Sequence, residues 1–116
     1  MFTAYVTVTI VTILANAAIV VADLRRAEFV VANSNEVGVP LSSLPLLATL
    51  KTAGVAGLLL GLLGVPIVGI AAAVGLILFF TGALITHMRA GVLYNLYFPG
   101  MYWALASGSL ALAIAQ

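Results

Sequence analysis

Four apolar runs, each about long enough to cross a bilayer, constrain this chain more than any other feature. They cover roughly residues 2–22, 44–63, 66–86 and 99–115. Lipid cannot satisfy exposed backbone N–H and C=O groups, so segments of this length cross a membrane as helices. Charged residues make up 6% of the sequence, against about 25% in soluble domains. The sequence therefore predicts an all-α polytopic membrane protein, a bundle of four transmembrane helices in a single domain over 1–116.

Glycine and proline set the expected limits of these helices, which are about 2–33, 44–63, 66–87 and 99–115. No Gly or Pro occurs before Gly38, so we expect the first helix to continue past the membrane surface. Gly64 and Pro66 end one helix and begin the next. This spacing predicts a tight hairpin between the second and third helices.

Basic residues near the helix ends predict the orientation of the bundle. Arg25 and Arg26 follow the first helix and Arg89 follows the third, whereas the connection between the second and third helices is uncharged. Short loops that carry Arg and Lys stay on the cytoplasmic side. We therefore expect the first and third loops to be cytoplasmic and both termini to lie outside.

The first helix carries a polar stripe at spacings of three, four and seven residues, which is one helical face. Its members are Tyr5, Thr9, Thr12, Asn16, Asp23 and Arg26. Asn16 needs partners inside the protein, and Arg26 could pair with Asp23 and keep it ionised. The trio of Asn16, Asp23 and Arg26 can hold a water or a ligand hydroxyl, or it can merely anchor the helix end. Thr12 either contacts a ligand or bonds to helix backbone.

In the second helix, Lys51 precedes a ridge of glycines without side chains. The ridge consists of Gly54, Gly57, Gly61 and Gly64. Such a ridge lets another helix approach closely, so a homo-oligomer through Gly54, Gly57 and Gly61 is one prediction. Lys51 lies on the same face, roughly 10 Å from the helix start. It either snorkels to the interface or pairs with Asp23 or a ligand inside the bundle.

Three residues near the last loop complete the candidate site. His87 and Arg89 lie at the inner end of the third helix, and Tyr102, near the start of the fourth, can turn inward with Ser109. We treat His87, Arg89 and Tyr102 as ligand-binding candidates, with an interfacial hydrogen bond as the simpler role for the histidine.

The chain has few of the residues that metal, thiol and nucleic-acid sites require. It has one histidine, three acidic residues and no cysteine, so no metal centre is predicted and dithiol chemistry is excluded. It has no basic cluster of the kind that binds nucleic acid. The residues do not identify a cofactor.

The run from Val37 to Gly91 resembles the DoxX-like family of small bacterial membrane proteins. The similar parts are "VP" before the second helix, "LKTAGVAGLLLGL", "GIAAAVGLILFFTGA" and the closing "HMR", together with "NAAIVVADLRRAEF" in the first helix. The resemblance implies a four-helix bundle in the bacterial cytoplasmic (inner) membrane. Some relatives are linked to thiosulfate or quinone-coupled oxidation, a role that fits poorly with a chain lacking cysteine.

Three classes of function agree with these residues. The first is binding of a lipophilic molecule, such as a quinone or an isoprenoid, in a polar pocket near the cytoplasmic side, on its own or as the membrane partner of a redox enzyme. The second is a small hydrolase or isomerase acting on an epoxide or alkene, with Asp23, Asn16, and Lys51 or Arg26 as its acid–base and charge-stabilising groups. The third is a structural scaffold among membrane lipids.

Overall fold

A computed structural model describes all residues, 1–116, as five α-helices without any β-strand. The helices are α1 (Phe2–Leu24), α2 (Glu28–Val37), α3 (Leu44–Leu62), α4 (Pro66–Arg89) and α5 (Tyr97–Ile114), with a short 3-10 turn at Leu41–Ser43 before α3. Three helical segments are long and apolar enough to cross a membrane: Phe2–Leu24, Leu41–Leu62 and Pro66–Arg89. The prediction of an all-helical protein with membrane-spanning character is confirmed.

The expected first helix over 2–33 is two helices in the structure. Helix α1 ends at Leu24, and Arg26 takes the left-handed conformation with φ 51°. The amide of Ala27 donates to the Ala22 carbonyl at 3.0 Å, and that of Arg26 to the Asp23 carbonyl at 3.2 Å. These two hydrogen bonds form a Schellman motif, in which the left-handed residue is usually glycine. The left-handed conformation costs an arginine roughly 1 kcal/mol. The absence of glycine and proline was therefore no guarantee of a continuous helix.

The glycine ridge of α3 packs against α4 of the same chain. A Cβ atom added at Gly57 would lie 2.5 Å from the Ala72 Cβ, and one at Gly61 would lie 2.6 Å from the Gly69 Cα. Gly54 similarly faces the Leu76 side chain. A second copy of the chain could use this ridge only by displacing α4, so the structure argues against the oligomer predicted there. Gly64 is not part of the ridge, because it lies in the turn after α3 with φ 116°.

The polar stripe of α1 faces the protein interior, as its spacing predicted. Its buried members are Tyr5, Thr9, Thr12, Asn16 and Asp23. Hydrogen bonds tie this face to α5: the Thr9 and Ser109 hydroxyls lie 2.7 Å apart, and the Tyr102 hydroxyl donates to the Ala15 carbonyl at 2.9 Å. Helix α3 packs on the other side of α1, and α4 packs against both α3 and α5. These contacts bring the end of α1 close to the start of α3 and the end of α4.

Candidate functional site

A cavity of about 960 Å³ lies where these helix ends meet. All five helices contribute to its wall, and 18 of its 31 lining residues are hydrophobic. Its rim includes Leu46 and Leu78, which are exposed, and Tyr94 in the loop before α5. An apolar, partly open cavity of this size is typical of a site for a small lipophilic molecule.

A buried ion pair between Asp23 of α1 and Lys51 of α3 lies in the wall of this cavity. The two side chains are only 5% and 7% exposed, respectively. The ammonium group also lies 5.4 Å from the centre of the Phe79 ring, within the range of a cation–π contact. Lys51 therefore pairs inside the protein rather than snorkelling to the interface.

Arg26 is not the partner of Asp23, and the sequence-based pairing of these two residues is wrong. Arg26 is exposed, and Asp23 forms its ion pair with Lys51. The reason is local: the left-handed turn at Arg26 ends α1, so this residue no longer follows the helical periodicity that would place it one turn below Asp23.

The Asp23 carboxylate has few polar partners for a buried charge. Its Oδ2 atom contacts the Lys51 ammonium, and no other side chain or backbone group donates to this carboxylate. A carboxylate can accept about four hydrogen bonds. Asp23 therefore keeps unused acceptor capacity at the wall of the cavity, where a ligand hydroxyl or a water could meet it.

A second polar cluster joins His87 of α4 to Asn33 of α2 and Asn95 of the last loop. The His87 Nε2 atom lies 2.9 Å from the Asn33 side-chain oxygen, and the Asn95 amide donates to that same oxygen at 3.2 Å. The other ring nitrogen, Nδ1, lies 2.9 Å from the Ala83 carbonyl. All three side chains of the cluster line the cavity.

One polar atom of this cluster has no partner. A carbonyl only accepts, so the His87 Nδ1 atom donates its proton to the Ala83 carbonyl. The Oδ1 atom of Asn95 is buried and accepts no hydrogen bond. The cluster therefore has an acceptor to which a ligand hydroxyl could donate.

Tyr94 and Glu36 form a polar contact at the rim. The Tyr94 hydroxyl donates to the Glu36 carboxylate at 2.6 Å. That hydrogen bond, more than any other cause, raises the pKa of Tyr94 above its ordinary value of 10.0. The contact joins α2 to the last loop across the mouth of the cavity.

The structure brings four of the eight predicted site residues together around the cavity. These are Asp23, Lys51, His87 and Tyr102. The hydroxyl of Tyr102 is already bonded to α1, and its ring stacks near Phe80 and Phe98 at centroid distances of 5.1 and 5.4 Å. Tyr102 therefore contributes an aromatic wall rather than a free hydroxyl.

The other four predicted residues lie outside the cavity lining. Arg26 and Arg89 are exposed at the surface. The Thr12 hydroxyl donates its proton to the Val8 carbonyl at 2.7 Å, with the Leu105 carbonyl farther away at 3.3 Å. This bond to backbone is the simpler of the two roles expected for Thr12. Asn16 is fully buried and donates to the Thr12 carbonyl, but its own Oδ1 atom has no hydrogen-bond partner.

Sequence reasoning missed several residues of the cavity, chiefly Asn33, Glu36 and Phe79. A signal was available for the first two, since they lie in the most polar segment of the chain and recur at a helical spacing of three residues. Phe79 carried no such signal, because it is one apolar residue among many in α4.

Comparison with known proteins supports the resemblance seen in the sequence. The family model described as the DoxX-like family matches residues 7–109. No curated protein and no solved structure matches the chain. Every residue that lines the cavity falls within the matched range.

Proposed function

The chain belongs to the DoxX-like family, and we propose that it is an integral membrane protein that binds a lipophilic small molecule in the cavity. The carrying observation is the Asp23–Lys51 ion pair, buried in the wall of a largely apolar cavity of about 960 Å³. Burying two charges costs more than a well-packed apolar pair would. A polar head group that binds there would supply the hydrogen bonds that the pair lacks.

The proposed membrane arrangement has four spans, α1, α3, α4 and α5, with α3 and α4 forming a hairpin. Helix α5 has 18 residues, a length of about 27 Å. Arg25, Arg26 and Arg89 are exposed near the ends of α1 and α4, whose residues Asp23 and His87 share the cavity. By the positive-inside rule this end is cytoplasmic and both termini lie outside, in the bacterial inner membrane that the family suggests.

The charges that face the cavity favour an uncharged head group. Asp23 and Lys51 cancel, and Glu36 adds a negative charge at the rim. The arginines lie outside the lining and cannot neutralise a phosphate there. A quinone carbonyl can accept a hydrogen bond from Lys51, and the hydroxyl of a quinol or a prenyl alcohol can also donate to Asp23 or to the Asn95 oxygen. None of these head groups introduces a further charge to bury.

Gly82 provides a direct test of binding. It lines the cavity, and a Cβ atom added to it meets nothing within 4 Å. Gly82→Phe should therefore fill the cavity without disturbing the helix packing. The matched control is Gly100→Phe, because Gly100 also has open space around it but does not line the cavity.

The measurement is mass spectrometry of small molecules that co-purify with each variant in mild detergent. We expect one lipophilic species with the wild type and with Gly100→Phe. We expect Gly82→Phe to retain about tenfold less, since overpacking a filled site costs roughly 1–3 kcal/mol. Equal retention by all three proteins, or no retained species in any of them, would contradict binding in the cavity.

Catalysis on a lipophilic substrate is a second candidate, and the unused acceptor capacity of Asp23 is the observation that favours it. Asp23 could take a proton from a water that attacks an epoxide carbon, while Lys51 stabilises the negative charge that develops on the released oxygen. Arg26 and Asn16 have no role in this proposed reaction, because neither residue lines the cavity. Asp23→Asn should abolish turnover and spare affinity if the carboxylate is the base, and it should weaken affinity if Asp23 only positions a ligand.

A further inference from the structure

A second, smaller groove of about 460 Å³ lies between α3 and α4. Its walls include Ala53 and Gly54 of α3 and Ala72 and Gly75 of α4, and none of its lining residues is ionisable. Ala53 and Gly75 are exposed, so the groove opens on the outer surface of the helix pair. In the proposed membrane arrangement this surface faces lipid.

The groove lies next to the main cavity, with three residues lining both. These are Leu50, Leu78 and Phe79. One of the three, Phe79, also reaches the polar site, because its ring centre lies 5.4 Å from the Lys51 ammonium. A molecule bound at Lys51 can therefore extend past Phe79 into the groove without crossing a polar wall.

The position of the groove along the helices matches the shape of an amphiphile. Ala53 and Gly75 are each the tenth residue of their helix, in helices of 19 and 24 residues. They lie near the middle of the spans, whereas Asp23 and His87 lie close to the ends of theirs. The polar site is thus at the depth of a head group and the groove is at the depth of an acyl or prenyl chain.

We propose that the groove holds the apolar tail of the molecule whose head group binds in the cavity, and that the ligand is an amphiphile with an uncharged oxygen-bearing head and a long apolar chain. This inference rests on the proposed binding function and adds a tail site and a lateral route of access between α3 and α4. The open space at Gly75, where an added Cβ meets nothing within 4 Å, is the room that the tail occupies.

The test compares two naphthoquinones with the same head group, menaquinone-4 with its prenyl tail and menadione without one. Affinity for each is measured by isothermal titration calorimetry of the full-length protein in detergent. The groove variants are Gly75→Phe and, from the facing helix, Ala53→Phe. The control is again Gly100→Phe, which alters neither the groove nor the cavity.

We expect the wild type and the control to bind menaquinone-4 more tightly than menadione. Each groove variant should lose about tenfold in affinity for menaquinone-4, the scale of moderate overpacking, and should bind menadione as the wild type does. If one groove variant misfolds, the other still tests the tail site. Unchanged binding of menadione shows that the head-group site of a variant is intact.

Four outcomes would overturn the tail site. Unchanged affinity for menaquinone-4 in both groove variants would mean that the tail lies elsewhere. Equal losses for both ligands would mean that the substitutions act on the cavity and not on a tail. If the wild type binds menadione but gains nothing from the prenyl chain, the tail site is wrong while head-group binding stands. If it binds neither ligand, the quinone version of the proposed function fails first and the tail site with it.

Discussion

Replacing Lys51 with methionine tests the ion pair at the centre of the site. Lys51→Met keeps the length and most of the apolar stem of the side chain but removes its charge. It leaves the Asp23 carboxylate, which is 5% exposed, without its ion-pair partner. Removing one member of a buried pair typically costs about 3–5 kcal/mol. We therefore expect Lys51→Met to lower the free energy of unfolding by about 3–5 kcal/mol, because the Asp23 carboxylate stays buried without a counter-charge.

The assay is equilibrium unfolding in mixed detergent micelles, run as a double-mutant cycle. Asp23→Ala combined with Lys51→Met removes both charges and should recover about 2 kcal/mol or more relative to the sum of the single changes. Arg89→Met is the control for loss of a cation, because Arg89 is exposed and should change stability by no more than about 0.5 kcal/mol. If Lys51→Met behaves like Arg89→Met, or if the single effects simply add, the pair does not exist as described.

Two further predictions concern the helix seam and the rim of the cavity. Gly61→Ala should destabilise the protein by about 1–3 kcal/mol, because the new Cβ would lie 2.6 Å from the Gly69 backbone. Gly75→Ala places its Cβ in open space, so it should be neutral or stabilising by up to about 1 kcal/mol. Thermal unfolding of the two variants beside the wild type tests both expectations. At the rim, the raised pKa of Tyr94 means that its bond to Glu36 is intact at neutral pH, and that its contribution to stability is lost as the pH rises through that pKa. Glu36→Gln should move the tyrosinate absorbance transition of Tyr94 to lower pH, with Tyr94→Phe identifying that transition in the titration; an unmoved transition would refute the contact.

Much of the fold could be predicted because it depends on local patterns. Long apolar runs must form helices in lipid, and a stripe at helical spacing on α1 must face the protein. The buried positions of Asn16 and Asp23 and the inward direction of Lys51 follow from these rules. The division of the predicted first helix did not follow, because it depends on a left-handed arginine that no composition rule favours.

The candidate site was only partly predictable. The sequence offered both Arg26 and Lys51 as partners of Asp23, and only the structure shows that the partner is Lys51. Likewise, Asn33 lies 54 residues from His87 and 62 from Asn95 along the chain. Helical periodicity says which face of a helix is buried, but it does not say which other helix covers that face.

The sequence by itself determined that this is a helical protein suited to a membrane, that one polar stripe of α1 faces inward, and that the chain belongs to its family. Only the tertiary structure decided that the glycine ridge serves α4 and that Asp23 meets Lys51. It alone placed this pair and the His87 cluster around one cavity with a groove beside it. The physical reason is that helix formation and burial are set by neighbours along the chain, whereas a site is made by side chains from helices far apart in sequence, whose packing no local pattern encodes.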